Sequence, residues 1–369
     1  MSALRNTLNL AFFISPHGFG HAARACAVMA ALLQRQPALR FEIYTQTPRW
    51  FFDDSLTGPF TYHSLLADVG LAQVSPLVED LPETIRRLDE FAPFRPALVA
   101  GLAAQLRGQR CALVLCDISP LGIAAARAAG LPSVLIENFT WDWIYEGYAA
   151  EAPALQPHID YLREIFASAD HHLQAAPVCA PHPAAYVVSP ISRRPRTPRQ
   201  RIREQLGLPP QATAVLVSMG GIQSRYHFLD RLADHGDIFF VVLGGSEAGE
   251  RRGNVVLLPH HTPFFYPDLL NACDVVVGKV GYSTVAEAYH AGLPYGCVTR
   301  ARFRESEVLA QFVCDQMRGL EIHPAHFENG DWLARLPGLL ALPRLERKEP
   351  NGAEQVAELV ADLLAGYTA

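Results

Sequence analysis

The sequence predicts an α/β protein made of two doubly wound, Rossmann-like domains. Short runs rich in apolar and β-branched residues alternate with amphipathic or alanine-rich stretches, which is typical of parallel sheets covered by helices. The chain has 369 residues, more than one core usually organises, and 50% of them are hydrophobic. Proline and arginine interrupt the alternation between residues 181 and 210. We therefore predict an amino-terminal domain of residues 1–185 and a carboxyl-terminal domain of residues 186–369.

The predicted elements follow this alternation along both halves of the chain. In the first half, strands are predicted near 8–14, 40–45, 112–116 and 133–136, and helices near 21–35, 82–91, 96–107 and 120–129. In the second half, strands are predicted near 214–218, 238–243 and 275–277. Whether a helix near 352–365 crosses back to the first domain is left open.

Candidate functional residues follow the predicted strands, because ligands of doubly wound sheets bind at the carboxyl ends of the strands. We expect the two sets of strand ends to face each other across a shared cleft. The residues at these ends are His17, Gly18, Gly20, His21, Asp117, Glu137 and Asn138 in the first half and Gly220, Gly221, Gly244, Gly245, Gly278 and Lys279 in the second.

Charge argues against a nucleic-acid-binding surface, since the formal net charge is -6. The one cluster of arginines is interrupted by prolines, so we interpret it as a solvated linker. Its members are Arg193, Arg194, Arg196, Arg199, Arg201 and Arg203.

The 7 cysteines are scattered and lack Cys-x-x-Cys spacing, which predicts reduced core thiols instead of disulfides or a zinc site. Adjacent histidines and acids elsewhere point in different directions on regular structure, so we predict no metal site. No signal peptide is evident, and no apolar stretch reaches the length of a membrane span. We expect a soluble, cytoplasmic protein without a transmembrane segment and leave its oligomeric state open.

The most informative feature is a glycine-rich turn between the first strand and the first helix, where His17 and Gly18 are followed by Gly20 and His21. Glycine permits positive φ and close approach of a ligand, and the next helix offers unpaired N–H groups to an anion. Histidine can take up a proton near neutral pH. The third glycine of a Rossmann fingerprint is missing, so a capping turn with an incidental histidine is the alternative. Two histidines at one turn favour function.

In the second half, residues 278–284 read Gly-Lys-Val-Gly-Tyr-Ser-Thr and lead into a helix that we place near Thr284. Small turns, the cation of Lys279 and the hydroxyls of Ser283 and Thr284 suit a diphosphate. The segment is not a Walker loop, because the required first glycine is absent. The alternative is a helix cap by Ser283 or Thr284 with a surface lysine, in which Glu287 completes a capping box.

Four segments together resemble the amino-terminal, glycosyltransferase-like half of the L-arabinokinases, and more distantly GT-B nucleotide-sugar glycosyltransferases such as the peptidoglycan GlcNAc transferase. They are residues 17–24, 117–120, 138–145 and 278–288. The resemblance runs from about residue 9 to the end and implies the GT-B fold. The sequence has no Gly-Leu-Ser-Ser-type phosphate loop, so sugar kinase activity is not implied.

The resemblance implies that His21 is the general base of an inverting transfer and that Asp117 orients it. A carboxylate in that place fixes the imidazole tautomer and stabilises the imidazolium. His17 is the reserve candidate for the base. The alternative for Asp117 is a role in capping the next helix through Ser119.

For the donor, the resemblance implies that Glu287 accepts hydrogen bonds from the ribose hydroxyls and that Ser283 and Thr284 hold the diphosphate. Lys279 stands where many plant-type transferases have a histidine, and Glu305 with Ser306 stands where relatives contact the donor sugar. The predicted donor-binding residues are Gly18, Gly20, Gly220, Gly221, Lys279, Gly281, Ser283, Thr284, Glu287, Glu305 and Ser306.

For the acceptor, the resemblance implies Asn138, Trp141 and Tyr145, because flat aromatic faces pack against sugars or other apolar acceptors. The alternative is an aromatic helix packed on the core of its domain.

The predicted function is an inverting, metal-independent glycosyltransferase that moves a hexosyl or pentosyl group. Its donor is a nucleotide diphosphate sugar, with UDP as the expected nucleotide, and its acceptor is a small molecule or glycan. No cofactor is expected. The alternatives are a non-catalytic nucleotide-sugar-sensing or regulatory module, and an epimerase or hydrolase on the same fold. Fold analogy alone does not choose among them.

Overall fold

The computed structural model of the protein describes residues 8–75, 77–220 and 226–368, which divide into two compact units. The first unit takes the described residues up to Ala72, Glu79–Ser192 and those from Pro350 onward. The second takes residues 73–78 and Arg193–Glu349. Each unit contains a doubly wound sheet with helical crossovers, so the predicted fold class of two Rossmann-like domains is confirmed.

The first unit contains one set of strands and helices before residue 110 and a second set after it. The first set is β1 (Asn9–Ile14), α1 (Gly20–Arg35), β2 (Arg40–Thr45), α2 (Arg49–Ser55), β3 (Phe60–Ser64), α3 (Leu81–Phe91) and α4 (Pro96–Gly108). The short strands β4 (Gln73–Ser75) and β5 (Val78–Glu79) form a sheet of their own, and the division between the units falls within β5. The second set is β6 (Cys111–Asp117), α5 (Pro120–Ala129), β7 (Ser133–Glu137), α6 (Trp141–Glu146), α7 (Gln156–Ala167), β8 (His171–Ala175), β9 (Tyr186–Val188) and α15 (Gly352–Thr368).

The second unit continues the same alternation. Its elements are α8 (Arg199–Gln205), β10 (Thr213–Ser218), α9 (Leu229–Leu232), β11 (Ile238–Leu243), β12 (Glu250–Arg252), β13 (Val255–Leu258), α10 (Tyr266–Ala272), β14 (Val275–Lys279), α11 (Tyr282–Ala291), β15 (Tyr295–Val298), α12 (Arg304–Gln316), β16 (Leu320–Ile322), α13 (Pro324–Asn329) and α14 (Leu336–Leu340).

Strand order reverses once in the middle of each sheet. Over the described residues, the first sheet has the order β3-β2-β1-β6-β7-β8-β9 and is parallel throughout. The second has the order β12-β13-β11-β10-β14-β15-β16, with β12 antiparallel. The reversals fall between β1 and β6 and between β10 and β14. Crevices at such switch points are where doubly wound sheets bind ligands.

Close packing at the first switch point depends on a glycine. A Cβ at Gly122 of α5 would lie 2.6 Å from the Cβ of Phe13 and 2.8 Å from the Sγ of Cys116. Only a residue without a side chain lets α5 approach β1 and β6 this closely. The strands are buried as expected of a sheet covered on both faces, with Leu10 to Ile14 fully inside.

The first unit continues past the predicted boundary at 185/186, because β9 pairs in parallel with β8 and extends the first sheet. The terminal helix α15 also belongs to this unit. Asn351, just before α15, anchors it by accepting from the backbone N–H of Ser192 at 3.2 Å and donating to the Ser192 carbonyl at 2.9 Å.

The interpretation of the arginine cluster as a solvated linker is wrong for three of its members. Arg203 is 2% exposed and donates to the carbonyl of Ala272 at 2.9 Å, while Arg199 donates to that of Cys273 at 2.6 Å. These bonds tie α8 to the end of α10. Arg193 pairs with an acid, as described below.

The cysteine prediction also needs one correction. Five of the seven are buried, but Cys179 is partly exposed and Cys314 is exposed. None of the helices in the described ranges is both long and apolar enough to cross a membrane.

Candidate functional site

His21 and Asp117 meet at the switch point of the first sheet. His21 lies in the first turn of α1, Asp117 ends β6, and the Nδ1 of His21 lies 2.9 Å from the Oδ1 of Asp117. Asp117 is fully buried, whereas the His21 side chain keeps 10% of its surface exposed. The next residue, Ile118, has φ 51°, which β-branched residues rarely adopt. Such strain concentrates at functional sites.

Arg24 clamps the same carboxylate from one turn further along α1. Its Nε donates to Asp117 Oδ2 at 2.7 Å and a terminal nitrogen donates to Oδ1 at 2.8 Å, which is a bidentate pair. Its other terminal nitrogen donates to the Oδ1 of Asn138 at 2.6 Å. Burial by itself raises the pKa of Asp117, but the charge and hydrogen bonds of Arg24, with the bond from His21, bring that pKa below its usual value. Asp117 is therefore a carboxylate at neutral pH.

The hydrogen bonds of the two candidate bases, His21 and His17, favour different tautomers. Because Asp117 can only accept, its bond fixes the hydrogen of His21 on Nδ1 and leaves the Nε2 lone pair as the basic site. The Nδ1 of His17 instead accepts from the backbone N–H of Leu71 at 3.3 Å, so a neutral His17 carries its hydrogen on Nε2. The arrangement favours His21 over His17 as a base.

A loop at residues 67–71 borders this site, and its backbone is held by the side chains of Ser119, Tyr145 and His17. The Ser119 hydroxyl donates to the carbonyl of Ala67 at 2.8 Å, and the Tyr145 hydroxyl donates to that of Gly70 at 2.6 Å. Gly70 has φ 64°, and a Cβ there would lie 2.7 Å from the His17 ring. The loop therefore requires glycine at this position.

Asp68, in the same loop, is 3% exposed and accepts from the N–H of Gly70 at 3.0 Å. Burial raises its pKa to about 6, against the opposing effects of Ser15, Gly70, protonated His21 and Trp141. Sequence reasoning missed this residue, because the segment shows no glycine-rich or strand-end pattern.

The three residues predicted to bind the acceptor, Asn138, Trp141 and Tyr145, have fully buried side chains. Trp141 stacks on Tyr145 with ring centroids 5.8 Å apart and meets His17 edge-on at 5.1 Å. In this structure they support the histidines and the 67–71 loop. Their contact with an acceptor stays a prediction.

In the second unit, Lys279 ends β14 at the switch point beside β10. The Lys279 side chain packs against the backbone of Gly220, where a Cβ would lie 3.5 Å from the lysine Cε. Gly278 also has to be glycine, since a Cβ there would lie 1.8 Å from the carbonyl oxygen of Ser218. Burial and the charge of Arg300 lower the pKa of Lys279 to about 8, and Glu305 opposes them.

Helix α11 begins at Tyr282, and its N-cap is Gly281, which has no side chain to cap with. The alternative in which Ser283 or Thr284 caps the helix is therefore wrong. The Thr284 hydroxyl lies 3.4 Å from that of Tyr266. The first turn of α11 is left with backbone N–H groups and hydroxyls of the kind that bind anions.

Glu287 lies one turn further along α11 and is 4% exposed. Its Oε1 accepts from the Nε of Arg193 at 2.8 Å. Its Oε2 has no hydrogen-bond partner among the described residues. Burial raises the pKa of Glu287, and Arg193 opposes that rise. A capping box would have paired Glu287 with the start of the helix, so the structure does not support that alternative.

The remaining predicted donor-binding residues lie at the starts of helices within their own units. Glu305 and Ser306 are buried in the first turn of α12, and Gly18 and Gly20 flank the start of α1. Gly221 lies outside the described residues. Across the described ranges, no three His, Cys, Asp or Glu side chains are arranged to hold a metal ion.

Sequence reasoning missed four charged or polar residues at these sites: Arg24, Asp68, Arg193 and Tyr266. Arg24 offered a signal, since an arginine three residues after His21 lies on the same helix face. The other three are brought in by tertiary structure.

The comparisons agree with the predicted resemblance. The chain is 26% identical over 372 residues to L-arabinokinase of Arabidopsis thaliana, covering 99% of this chain and 35% of that protein. It thus spans about a third of that relative's length. It is 24% identical over 288 residues to an uncharacterized glycosyltransferase, MK0977, of Methanopyrus kandleri, covering 72% of this chain and 80% of the relative. No known family profile matches the chain.

Solved glycosyltransferases share its fold. Spinosyn forosaminyltransferase SpnP superposes with a TM-score of 0.62 at 15% identity, covering 98% of this chain and all of the other. VinC in complex with dTDP superposes with a TM-score of 0.61 at 17% identity, covering 98% of this chain and 99% of VinC. UGT71G1 of Medicago truncatula in complex with UDP-glucose superposes with a TM-score of 0.62 at 13% identity, covering all of both chains. The fold is therefore that of the GT-B glycosyltransferases.

Proposed function

We propose that this chain, which has the GT-B fold, is an inverting glycosyltransferase that uses a nucleotide diphosphate sugar. The observation that carries the proposal is the buried Asp117 carboxylate, which fixes the His21 hydrogen on Nδ1 and leaves Nε2 as a base. We assign the acceptor to the first unit and the donor to the second.

In the proposed reaction, Nε2 of His21 takes the proton of an acceptor hydroxyl. The hydroxyl oxygen forms a bond to the anomeric carbon, and the bond from that carbon to the diphosphate oxygen breaks. The diphosphate leaves with the electron pair, and attack from the opposite side inverts the anomeric centre. Lys279 and the start of α11 would stabilise the leaving group without a metal ion.

The donor assignment rests on the second switch point. Lys279 supplies a cation, Ser283 and Thr284 supply hydroxyls, and the N–H groups of α11 face the same end of the sheet. The Oε2 of Glu287 is a buried acceptor without a partner among the described residues, so a ribose hydroxyl would satisfy it. UDP is the expected nucleotide.

Changing Glu287 to alanine is expected to weaken UDP binding by about 1–3 kcal/mol, because the ribose hydroxyl loses its acceptor. Isothermal titration calorimetry measures this. Glu328→Ala, at an exposed glutamate of the same unit, should bind UDP like the wild type. Unchanged affinity in the Glu287 variant would place the nucleotide elsewhere.

The affinity for UDP should fall as pH rises through about 8, the pKa to which burial lowers Lys279. Below that pH the lysine is charged and attracts the diphosphate, whereas above it binding must first take up a proton, at a cost of up to about tenfold in Kd per pH unit. Calorimetry between pH 6.5 and 9.5 checks this. Lys279→Met should flatten the dependence, and Lys348→Met, at the chain's other lysine, should preserve it.

The function itself is tested by a thermal-shift screen over nucleotide diphosphate sugars, since a ligand that binds the folded state raises its apparent stability. Product analysis with the donor that binds best, against sugars and small hydroxylated acceptors, then tests transfer. Binding of nucleotide sugars without any product would favour the sensing module over the transferase.

A further inference from the structure

A buried ion pair joins the segment before α8 to the helix α11. The Nε of Arg193 donates to the Oε1 of Glu287 at 2.8 Å, and the two side chains keep only 9% and 2% of their surface exposed. The Oε2 of Glu287 is also buried, but it has no hydrogen-bond partner within the described residues. The protein therefore holds one oxygen of this carboxylate and leaves the other without a partner.

An ion pair that served the fold alone would be expected to satisfy both oxygens of its carboxylate. Burying two charges is offset by their attraction only when the remaining lone pairs are also hydrogen-bonded. The pair in the first unit meets this condition, because Arg24 donates to Oδ2 of Asp117 at 2.7 Å and to Oδ1 at 2.8 Å. Glu287 is only half satisfied by comparison, which indicates a partner that arrives from outside the chain.

Arg193 is itself held by the start of α10. Its guanidinium carbon lies 5.0 Å from the centroid of the Phe265 ring, and that of Arg196 lies 3.9 Å from the same centroid. The backbone N–H groups of Arg196 and Thr197 both donate to the Oδ1 of Asp268, at 2.6 and 3.1 Å. These contacts fix the backbone that carries Arg193, so its guanidinium meets Glu287 from a defined direction.

We propose that Arg193 is a positioning residue for the donor, which orients Glu287 so that its Oε2 accepts hydrogen bonds from the ribose hydroxyl groups. The proposal rests on the proposed function, in which Glu287 binds that ribose. Arg193 occupies Oε1, so Oε2 is the oxygen of the carboxylate that is left for the nucleotide. Arg193 thus acts on the donor through Glu287.

The charge of Arg193 supports the same role. Burial raises the pKa of Glu287, and the charge and hydrogen bond of Arg193 oppose that rise. If Glu287 were protonated, its hydrogen would lie on Oε2, because Oε1 already receives one from Arg193, and Oε2 would then donate. An ionised carboxylate only accepts, and it forms the stronger bonds to hydroxyl groups. Tyr266, a titratable neighbour on α10, stays neutral, because burial raises its pKa to about 12.

The test compares UDP with dideoxy-UDP, which lacks both ribose hydroxyl groups, by isothermal titration calorimetry and requires no turnover. Arg193→Met should weaken UDP binding about tenfold, because Glu287 loses the donor that orients it. The same substitution should leave the affinity for dideoxy-UDP unchanged, since that nucleotide offers Glu287 no hydroxyl group. A general loss of structure at the site would instead weaken both nucleotides alike.

Two further variants separate positioning from stability. Arg193→Lys keeps a cation that can donate to Glu287, so it should bind UDP more tightly than Arg193→Met. Adding Arg193→Met to Glu287→Ala should cost no further UDP affinity, because Arg193 acts through Glu287. The double variant leaves neither charge buried and unpaired, so this comparison stands even if Arg193→Met alone fails to fold.

Arg199→Met is the matched control. Arg199 also pairs with an acid of the second unit, Asp274, at 2.6 Å, but Asp274 directly precedes β14 and lies at the other end of that strand from Lys279. Its variant should bind both nucleotides like the wild type. Equal losses for both nucleotides in Arg193→Met, or a further loss of UDP affinity in the double variant, would overturn this proposal alone. A wild type that does not bind UDP would overturn the proposed donor site and this proposal with it.

Discussion

Replacing His21 with alanine is expected to lower turnover by about 10²–10⁴-fold while leaving UDP affinity unchanged, because general-base catalysis is lost and the donor residues are intact. Asp117→Asn should act in the same direction, since an amide no longer fixes the hydrogen of His21 on Nδ1. The double variant should lose less than the product of the single losses, because the two residues act as one unit. Steady-state kinetics with the identified donor and acceptor, together with UDP calorimetry, measures all three.

The chain offers a matched control in the same unit. His158 is also a buried histidine paired with an aspartate, with its Nε2 2.9 Å from the Oδ1 of Asp89, but it lies on α7 away from the strand ends. His158→Ala should keep its turnover. Full activity in His21→Ala would remove His21 from the mechanism and make His17 the next candidate.

Replacing Arg24 with methionine is expected to destabilise the protein by about 3–5 kcal/mol at neutral pH, because it leaves the buried Asp117 carboxylate without its cation. In the wild type, Arg24 lowers the pKa of Asp117 against the effect of burial. The pair thus stabilises the fold above pH 4, and this contribution disappears as pH falls through the pKa of the folded state. In the variant, burial is no longer offset by Arg24, so the carboxyl can be protonated more easily.

The loss of stability in Arg24→Met should therefore become smaller as pH falls. Urea unfolding at pH 7.5 and pH 5 measures the free energy of unfolding of both proteins from the midpoint and slope of the transition. Adding Asp117→Asn to Arg24→Met should recover part of the loss at pH 7.5, since the buried charge is gone. An equal loss of stability at both pH values would show that Arg24 stabilises the fold by packing alone.

Much of the fold could be predicted because its signals are local. The predicted strand near 8–14 is β1 (Asn9–Ile14), and the predicted helix near 21–35 is α1 (Gly20–Arg35). The helix after the second glycine-rich segment was placed near Thr284 and begins at Tyr282. An error of two residues decided the chemistry there, because a helix that starts at Tyr282 is not capped by Ser283 or Thr284.

The arginine cluster shows where composition misleads. A run of arginines with prolines has the same composition whether its side chains are solvated or paired. Arg193 meets Glu287, 94 residues away in the chain, and Arg203 meets backbone carbonyls of the next element in space. No periodicity within the run indicates either partner.

The sequence by itself determined the alternation of strands and helices and the turns at their carboxyl ends, because side-chain periodicity and glycine act within a few residues. It therefore singled out His21, Asp117, Lys279 and Glu287 as candidate site residues. Tertiary structure alone decided which groups surround them. In the first sheet β1 lies between β2 and β6, and this order brings Arg24 onto Asp117 from 93 residues away in the chain. The surroundings of His21 depend on these long-range neighbours, and short-range patterns do not encode them.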